Sequence, residues 1–347
     1  MNLKILKMVE SVKNKGGLRP LIFNKCVRRY KMFLDFVWLV VGMILLIKGA
    51  DFFVDGSSKI AKAFHIPSLI IGLTLVSMGT SAPEASVSIN AAINDLNDLS
   101  IGNVVGSNIF NTLFILGMSA LFTPLLIKDE MKKYDIPIMI GIYLVLILFS
   151  FVISPLKIDI FESIILLVLF IGYILSLIFR AKKENNAKVE EAEEKITKGK
   201  LLLSVVLAIF GLAAIIFGGD LVVDSASNIA TELGMSESLV GLTIVAVGTS
   251  LPELVTSVVA SVKKENDIAI GNVIGSNIFN VVFILGLSST ISSLVVNPAV
   301  LLDMIVMTIS GLIVLVLAIC SKRINKWQGI IMFMLYVAYL TYIIIRN

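Results

Sequence analysis

The chain has 347 residues, 57% hydrophobic and 16% charged, with a formal net charge of +4, and its mean hydropathy is +0.96. It is far more apolar than a soluble domain, which excludes a water-soluble enzyme or binding module. The alternating pattern of a membrane barrel is absent. Cys26 and Cys320 have no CxxC spacing and give neither a disulfide framework nor a metal site, and the surplus lysines belong to loops and carry no nucleic-acid signal.

Residues 1–32 form a basic tail with nine Lys/Arg and one Glu. The tail lacks the apolar segment of a signal peptide. Two readings stand: a segment lying on the membrane surface, or an over-long start with Met32 as the first residue. From there, apolar runs long enough to cross a bilayer, at about 20 residues per span, recur ten times. They fall at roughly 33–55, 68–94, 100–123, 134–153, 159–180, 200–225, 236–262, 268–292, 298–321 and 326–345. The expected fold is an all-α polytopic membrane protein of about ten transmembrane helices.

The first span ends in Asp51 and Asp55, and the sixth in Asp220 and Asp224. Carboxylates at a span's end are expected to be solvated or paired with a nearby lysine. His65, the one histidine, sits in a short loop and is given no role. Residues 181–199 read as a solvated charged linker, since Ala181 to Lys200 mixes five acids and six bases without apolar period. The linker separates two halves, 33–180 and 200–347, of five spans each. Loops and the adjoining span ends on the linker's side carry 17 Lys/Arg, against Lys157 and Arg346 on the other, which makes the linker side cytoplasmic.

The halves are copies. Gly72 to Ser119 is repeated by Gly241 to Ser288 at a constant offset of 169, with 28 of 48 positions identical. A duplication running the same way across an odd number of spans is an inverted repeat. The retained identities are mostly polar, glycine or proline, where an apolar environment makes polar groups costly. Glu84 and Glu253 fall midway along the second and seventh spans, where an ionised carboxylate costs roughly 3 kcal/mol or more. Ser77, Thr80, Ser81 and Glu84 lie at i, i+3, i+4 and i+7, on one helix face, and Ala246, Thr249, Ser250 and Glu253 repeat that spacing. Pro83 and Pro252 lack the N–H that would bind the carbonyls of Gly79 and Gly248, so each helix is expected to break there and free main-chain oxygens.

Asn103, Ser107 and Asn111, with Asn272, Ser276 and Asn280, give the third and eighth spans one polar stripe each, and Gly102, Gly106, Gly271 and Gly275 permit close helix contact. Taken singly, Ser86, Ser88, Thr256, Ser257, Asn108 and Asn277 read as helix glue. The inventory is hard oxygen, without sulfur or imidazole. It suits Na⁺ and Ca²⁺, and two carboxylates balance one divalent ion.

GTSAPE with GNVVGSNIFN, and GTSLPE with GNVIGSNIFN, resemble the paired alpha-repeats of the cation/Ca²⁺ exchanger superfamily, in particular its prokaryotic, K⁺-independent sodium/calcium exchangers. The resemblance covers nearly all of 33–347 and implies ten helices in two inverted five-helix repeats, with four ion sites at mid-membrane. By matching positions, Glu84 and Glu253 would hold Ca²⁺ with oxygens of Thr80 and Thr249. Ser77, Ser81, Ser107, Ala246, Ser250 and Ser276 would complete flanking Na⁺ sites, Ser77 and Ala246 through their carbonyls, while Asn111 and Asn280 would line the middle. K⁺-dependent members place Asp where Asn280 stands, so K⁺ co-transport is not expected.

The implied protein is a secondary antiporter of the cell membrane, working as a monomer in lipid, with Na⁺ and Ca²⁺ as cargo and no cofactor. A channel fits a central meeting point of charges less well than alternating access does. A membrane enzyme lacks a His/Ser or metal-hydrolase constellation. H⁺/Ca²⁺ exchange is the alternative within the antiporter class, since both glutamates could carry protons.

Overall fold

The computed structural model describes residues 20–187, 198–235 and 246–346. The first 19 residues of the tail and most of the charged linker therefore lie outside the described residues. The elements are α1 (Pro20–Ala63), α2 (Ser68–Thr80), α3 (Ala82–Ile93), α4 (Asn97–Phe122), β1 (Leu125–Leu126), α5 (Met131–Ile153), β2 (Lys157–Ile158), α6 (Ile160–Ala187), α7 (Lys198–Glu232), α8 (Ala246–Gly248), α9 (Leu251–Val262), α10 (Asn266–Ile291), β3 (Leu294–Val295), α11 (Pro298–Cys320), β4 (Arg323–Ile324) and α12 (Lys326–Arg346). Among the described residues, α1, α4, α5, α6, α7, α10, α11 and α12 are long and apolar enough to cross a membrane. The second and seventh spans are the broken ones, as α2–α3 and α8–α9. The tail from Pro20 continues the first span as one helix.

Two small ladders fix the orientation of the copies. β1 pairs antiparallel with β4, Leu125 opposite Ile324, and β2 pairs with β3, Lys157 opposite Val295. Because α5 runs from β1 to β2, the ladders lie at opposite ends of that helix. β3 is the repeat mate of β1 (125 + 169 = 294), yet it sits at the β2 end. The second copy is therefore upside down relative to the first, as the odd span count requires.

Left-handed backbone recurs at matching turns, at the offset of 169 for the first two pairs and 166 for the third. His65 (φ 55) matches Gly234 (φ 99), Asp95 (φ 57) matches Lys264 (φ 63), and Leu156 (φ 59) matches Lys322 (φ 54). His65 thus closes the turn after α1 in the conformation that its mate entrusts to glycine, which bears no Cβ to crowd the backbone.

The long helices α1 and α7 pack antiparallel through glycines spaced by seven. A Cβ on Gly42 would stand 2.8 Å from the Gly218 carbonyl, and one on Gly211 would stand 2.6 Å from the Phe53 nitrogen. At the linker-side end of α1, Lys263 Nζ reaches Asp51 and Asp55, each at 2.6 Å. This is the structural pairing expected of those carboxylates. Burial works against the Lys263 ammonium, but the two carboxylates outweigh it and hold its pKa above the usual lysine range. Asn94, not a lysine, stands 169 residues earlier.

Each half also ties its fourth span to its fifth with a buried ion pair, Asp135 to Arg180 Nη2 at 2.6 Å and Asp303 to Arg346 Nη2 at 3.0 Å. A buried carboxylate left alone would be costly, and each arginine bonds its carboxylate with both terminal nitrogens.

Candidate ion site

The site forms where the two broken spans meet. Ser81 (φ −81, ψ 10) separates α2 from α3, and Ser250 (φ −90, ψ 7) opens α9. In each case proline occupies the first turn of the outgoing segment, where a missing N–H costs nothing, and the glutamate follows it. Glu84 and Glu253 thereby sit at the positive ends of two half-helices. The break falls at the predicted point, but the Gly79 carbonyl is not freed: it accepts a backbone N–H at the close of α2.

Each carboxylate is bonded by the opposite repeat. Ser81 Oγ donates to Glu253 Oε1 at 2.8 Å, and Ser250 Oγ donates to Glu84 Oε1 at 2.8 Å. Ser250 also lies 3.1 Å from Ser107 Oγ, while Ser276 Oγ lies 3.5 Å from Glu253 Oε1 and 3.4 Å from the Ser77 carbonyl. Thr80 Oγ1 donates to Asn272 Oδ1 at 3.0 Å, and Thr249 Oγ1 to Asn103 Oδ1 at 3.5 Å.

Ser77, Thr80, Ser81, Glu84, Glu253, Ser276, Asn111 and Asn280 are fully buried, and Ser107 and Ser250 nearly so. Ala246 begins α8, which packs against α4 as its mate segment α2 packs against α10. That second contact is close because a Cβ on Gly275 would lie 2.8 Å from the Leu73 carbonyl and one on Gly271 3.0 Å from the Leu69 carbonyl. Methyls on Gly102 and Gly106 would meet no described atom, so their expected packing role is not seen among the described residues.

What remains unpaired defines the chemistry. Glu84 Oε2, Glu253 Oε2, both amide atoms of Asn111 and Oδ1 of Asn280 are buried with no hydrogen-bond partner among the described residues. Buried polar groups are ordinarily bonded, because an unmet one costs about 1–3 kcal/mol and a charged one more. A cation would satisfy several of these oxygens at once. The two middle asparagines differ: Asn280 Nδ2 is anchored on Asn108 Oδ1 at 3.0 Å, whereas Asn111 has no such anchor. Asn108 also bonds the Asn277 carbonyl at 3.0 Å, and Asn277 bonds Thr112 at 2.7 Å, so this pair does serve as glue between the third and eighth spans.

Sequence reasoning placed Asn103 and Asn272 on the polar stripes without assigning them to the site. The signal that could have found them was their identity at equivalent positions.

Two half-helices meeting at buried carboxylates inside an inverted repeat define a secondary transporter for a hard cation. The chain belongs to the sodium/calcium exchanger protein family, whose model matches residues 34–179 and 203–345. It is 33% identical to the sodium/calcium exchanger MaX1 of Methanosarcina acetivorans, over 88% of this chain and 97% of that protein. It is 37% identical to the inner membrane protein YrbG of Escherichia coli, over 77% of this chain and 83% of that one. Its fold matches the sodium-calcium exchanger NCX_Mj, soaked with Na⁺ and Ca²⁺, with a TM-score of 0.76 and 33% identity, over 89% of this chain and 98% of that one.

Proposed function

We propose that this chain exchanges Na⁺ for Ca²⁺ across the membrane by alternating access at the site between Glu84 and Glu253. The observation that carries the reading is the set of buried, unpartnered oxygens on Glu84, Glu253, Asn111 and Asn280. Two carboxylates balance one Ca²⁺ with oxygen ligands. Thr80 and Thr249 complete the Ca²⁺ site, and Ser77, Ser81, Ser107, Ala246, Ser250 and Ser276 serve flanking Na⁺ sites. Once Ca²⁺ leaves, two buried negative charges make closure of the empty site expensive. The return step therefore waits for replacement cations, which is what makes the device an exchanger and not a leak.

The charged linker lies on the cytoplasmic side of the cell membrane, by the positive-inside count, and a single chain in lipid suffices for transport. The test is Ca²⁺ uptake into proteoliposomes under an imposed Na⁺ gradient, with an imposed pH gradient as comparison. Uptake under Na⁺ alone is expected. Uptake driven by pH and indifferent to Na⁺ would replace this reading with H⁺/Ca²⁺ exchange, in which the free Oε2 atoms take protons.

A further inference from the structure

Asn103 and Asn272 occupy one position in the two repeats and make matching contacts. Asn103 Nδ2 donates to the Glu84 backbone carbonyl at 3.2 Å and to Ser88 Oγ at 2.9 Å. Asn272 Nδ2 donates to the Glu253 carbonyl at 3.4 Å and to Ser257 Oγ at 2.9 Å. Both amide hydrogens are committed within the asparagine's own repeat, which leaves Oδ1 to accept. It accepts from the other repeat, from Thr249 for Asn103 and from Thr80 for Asn272. Flipping either amide would forfeit both Nδ2 bonds, so the polarity is fixed.

The threonines have a second choice of acceptor. Thr80 also stands near Glu253, and Thr249 near Glu84, without a hydrogen bond in either pair. A hydroxyl has one proton and two lone pairs. It can serve as a cation ligand only while the proton points away from the ion. When a cation sits on the carboxylates, a threonine proton aimed at them would aim at positive charge. The asparagine Oδ1 is then the acceptor that lets the oxygen turn. For Thr80 another acceptor exists, the Ser77 carbonyl at 3.3 Å, but that oxygen already receives the Ser81 N–H at 3.0 Å.

Resting on the reading of this site as a Ca²⁺ site, we propose that Asn103 and Asn272 are positioning residues that act through threonine. Each takes the hydroxyl proton of the threonine from the opposite repeat, so that the threonine oxygen presents its lone pairs to the ion. Ser88 and Ser257 hold the amides in the required orientation. Since each asparagine also grips the carbonyl of its own repeat's glutamate, one side chain links a carboxylate of one half to a hydroxyl ligand of the other.

The test is a pair of double-mutant cycles read by Ca²⁺ titration calorimetry on the purified full chain in detergent. One cycle uses Asn103→Ala and Thr249→Val, the other Asn272→Ala and Thr80→Val. The thermal midpoint in Ca²⁺-free buffer serves as the folding control. Each single substitution is expected to weaken Ca²⁺ binding about ten-fold or more, the size of a lost bond to a charged group. Each double variant should bind no more weakly than its Thr→Val parent, because the asparagine has nothing left to orient. A merely structural role would instead give losses that multiply.

Asn103 is only half-buried, so its cycle stands if Asn272→Ala does not fold. Multiplying losses, or wild-type affinity in Asn103→Ala, would overturn the inference while leaving the Ca²⁺ site in place. A wild-type chain that binds no Ca²⁺ would remove the site reading itself, and the positioning role with it.

Discussion

Ser81 donates its hydroxyl hydrogen to Oε1 of Glu253 at 2.8 Å, across the boundary between the two repeats. Ser250 returns the same bond to Glu84. Each carboxylate thus keeps one oxygen on a serine of the other half and one oxygen free of any partner among the described residues. The free oxygens give the pair its cation chemistry, and the bonded ones hold it in register.

Glu84→Gln and Glu253→Gln should therefore fold and insert, since an amide oxygen still accepts the serine hydrogen. Each should abolish Ca²⁺ transport, because the negative charge opposing a divalent ion is halved. Proteoliposome flux checks this, and flux at the wild-type level in either variant removes that residue from the site.

Transport should be driven by Na⁺ and indifferent to K⁺ on either side. The structural basis is Asn280, whose amide nitrogen donates to Asn108 Oδ1 at 3.0 Å. Asn280→Asp would set a carboxylate oxygen against that acceptor, a contact that only the protonated acid can bond. The variant should then lose activity as pH rises, where the wild type does not. Ca²⁺ uptake by the wild type that requires K⁺ on the Ca²⁺ side would refute the reading of Asn280.

Lys263→Met should free the Asp51–Asp55 end of α1 from the end of α9. The groups are partly exposed, so the loss of stability is small, about 0.5–1 kcal/mol, and shrinks with added salt. The sign with pH follows from the ammonium's raised pKa in the folded state. Its contribution is complete below the ordinary lysine pKa and is lost only as pH climbs through the higher folded value. Melting curves at low and high salt decide the point; a wild type and variant that differ equally at both would count against an ionic latch.

Gly211→Ala places a methyl 2.6 Å from the Phe53 nitrogen and 2.7 Å from the Gly49 carbonyl, both backbone atoms. The two long helices must part to admit it, at a cost of about 1–3 kcal/mol or more. Thermal midpoint and folded yield report it. Gly172→Ala, where the added carbon meets nothing within 4 Å, is the matched control.

Much of this was legible in the sequence because duplication does what an alignment would otherwise do. Glu84 and Glu253 stood out through repeated neighbours in an apolar setting, and the helix breaks followed from the glycine–proline spacing. The bonding could not be read. Ser81 reaches Glu253 across 172 residues, and Thr80 reaches Asn272 across 192; no periodicity within a helix encodes a partner on another. The Gly79 carbonyl departs from the expectation for a local reason, since proline removes one donor without preventing a neighbouring N–H from taking its place. The His65 side chain carries no signal in the sequence, and its contribution is a backbone angle visible only beside Gly234.

The two ladders have a consequence for how the chain is made. Each joins a loop of the first half to a loop of the second, Leu125 to Ile324 and Lys157 to Val295. During synthesis the amino-terminal half emerges first. It must wait in the bilayer with open strand edges and with Glu84 lacking its serine, until nearly the whole chain has been threaded. The halves share a common sequence plan, yet neither is a finished unit by itself. Assembly is an intramolecular dimerisation, and the linker between the halves keeps the partner within reach.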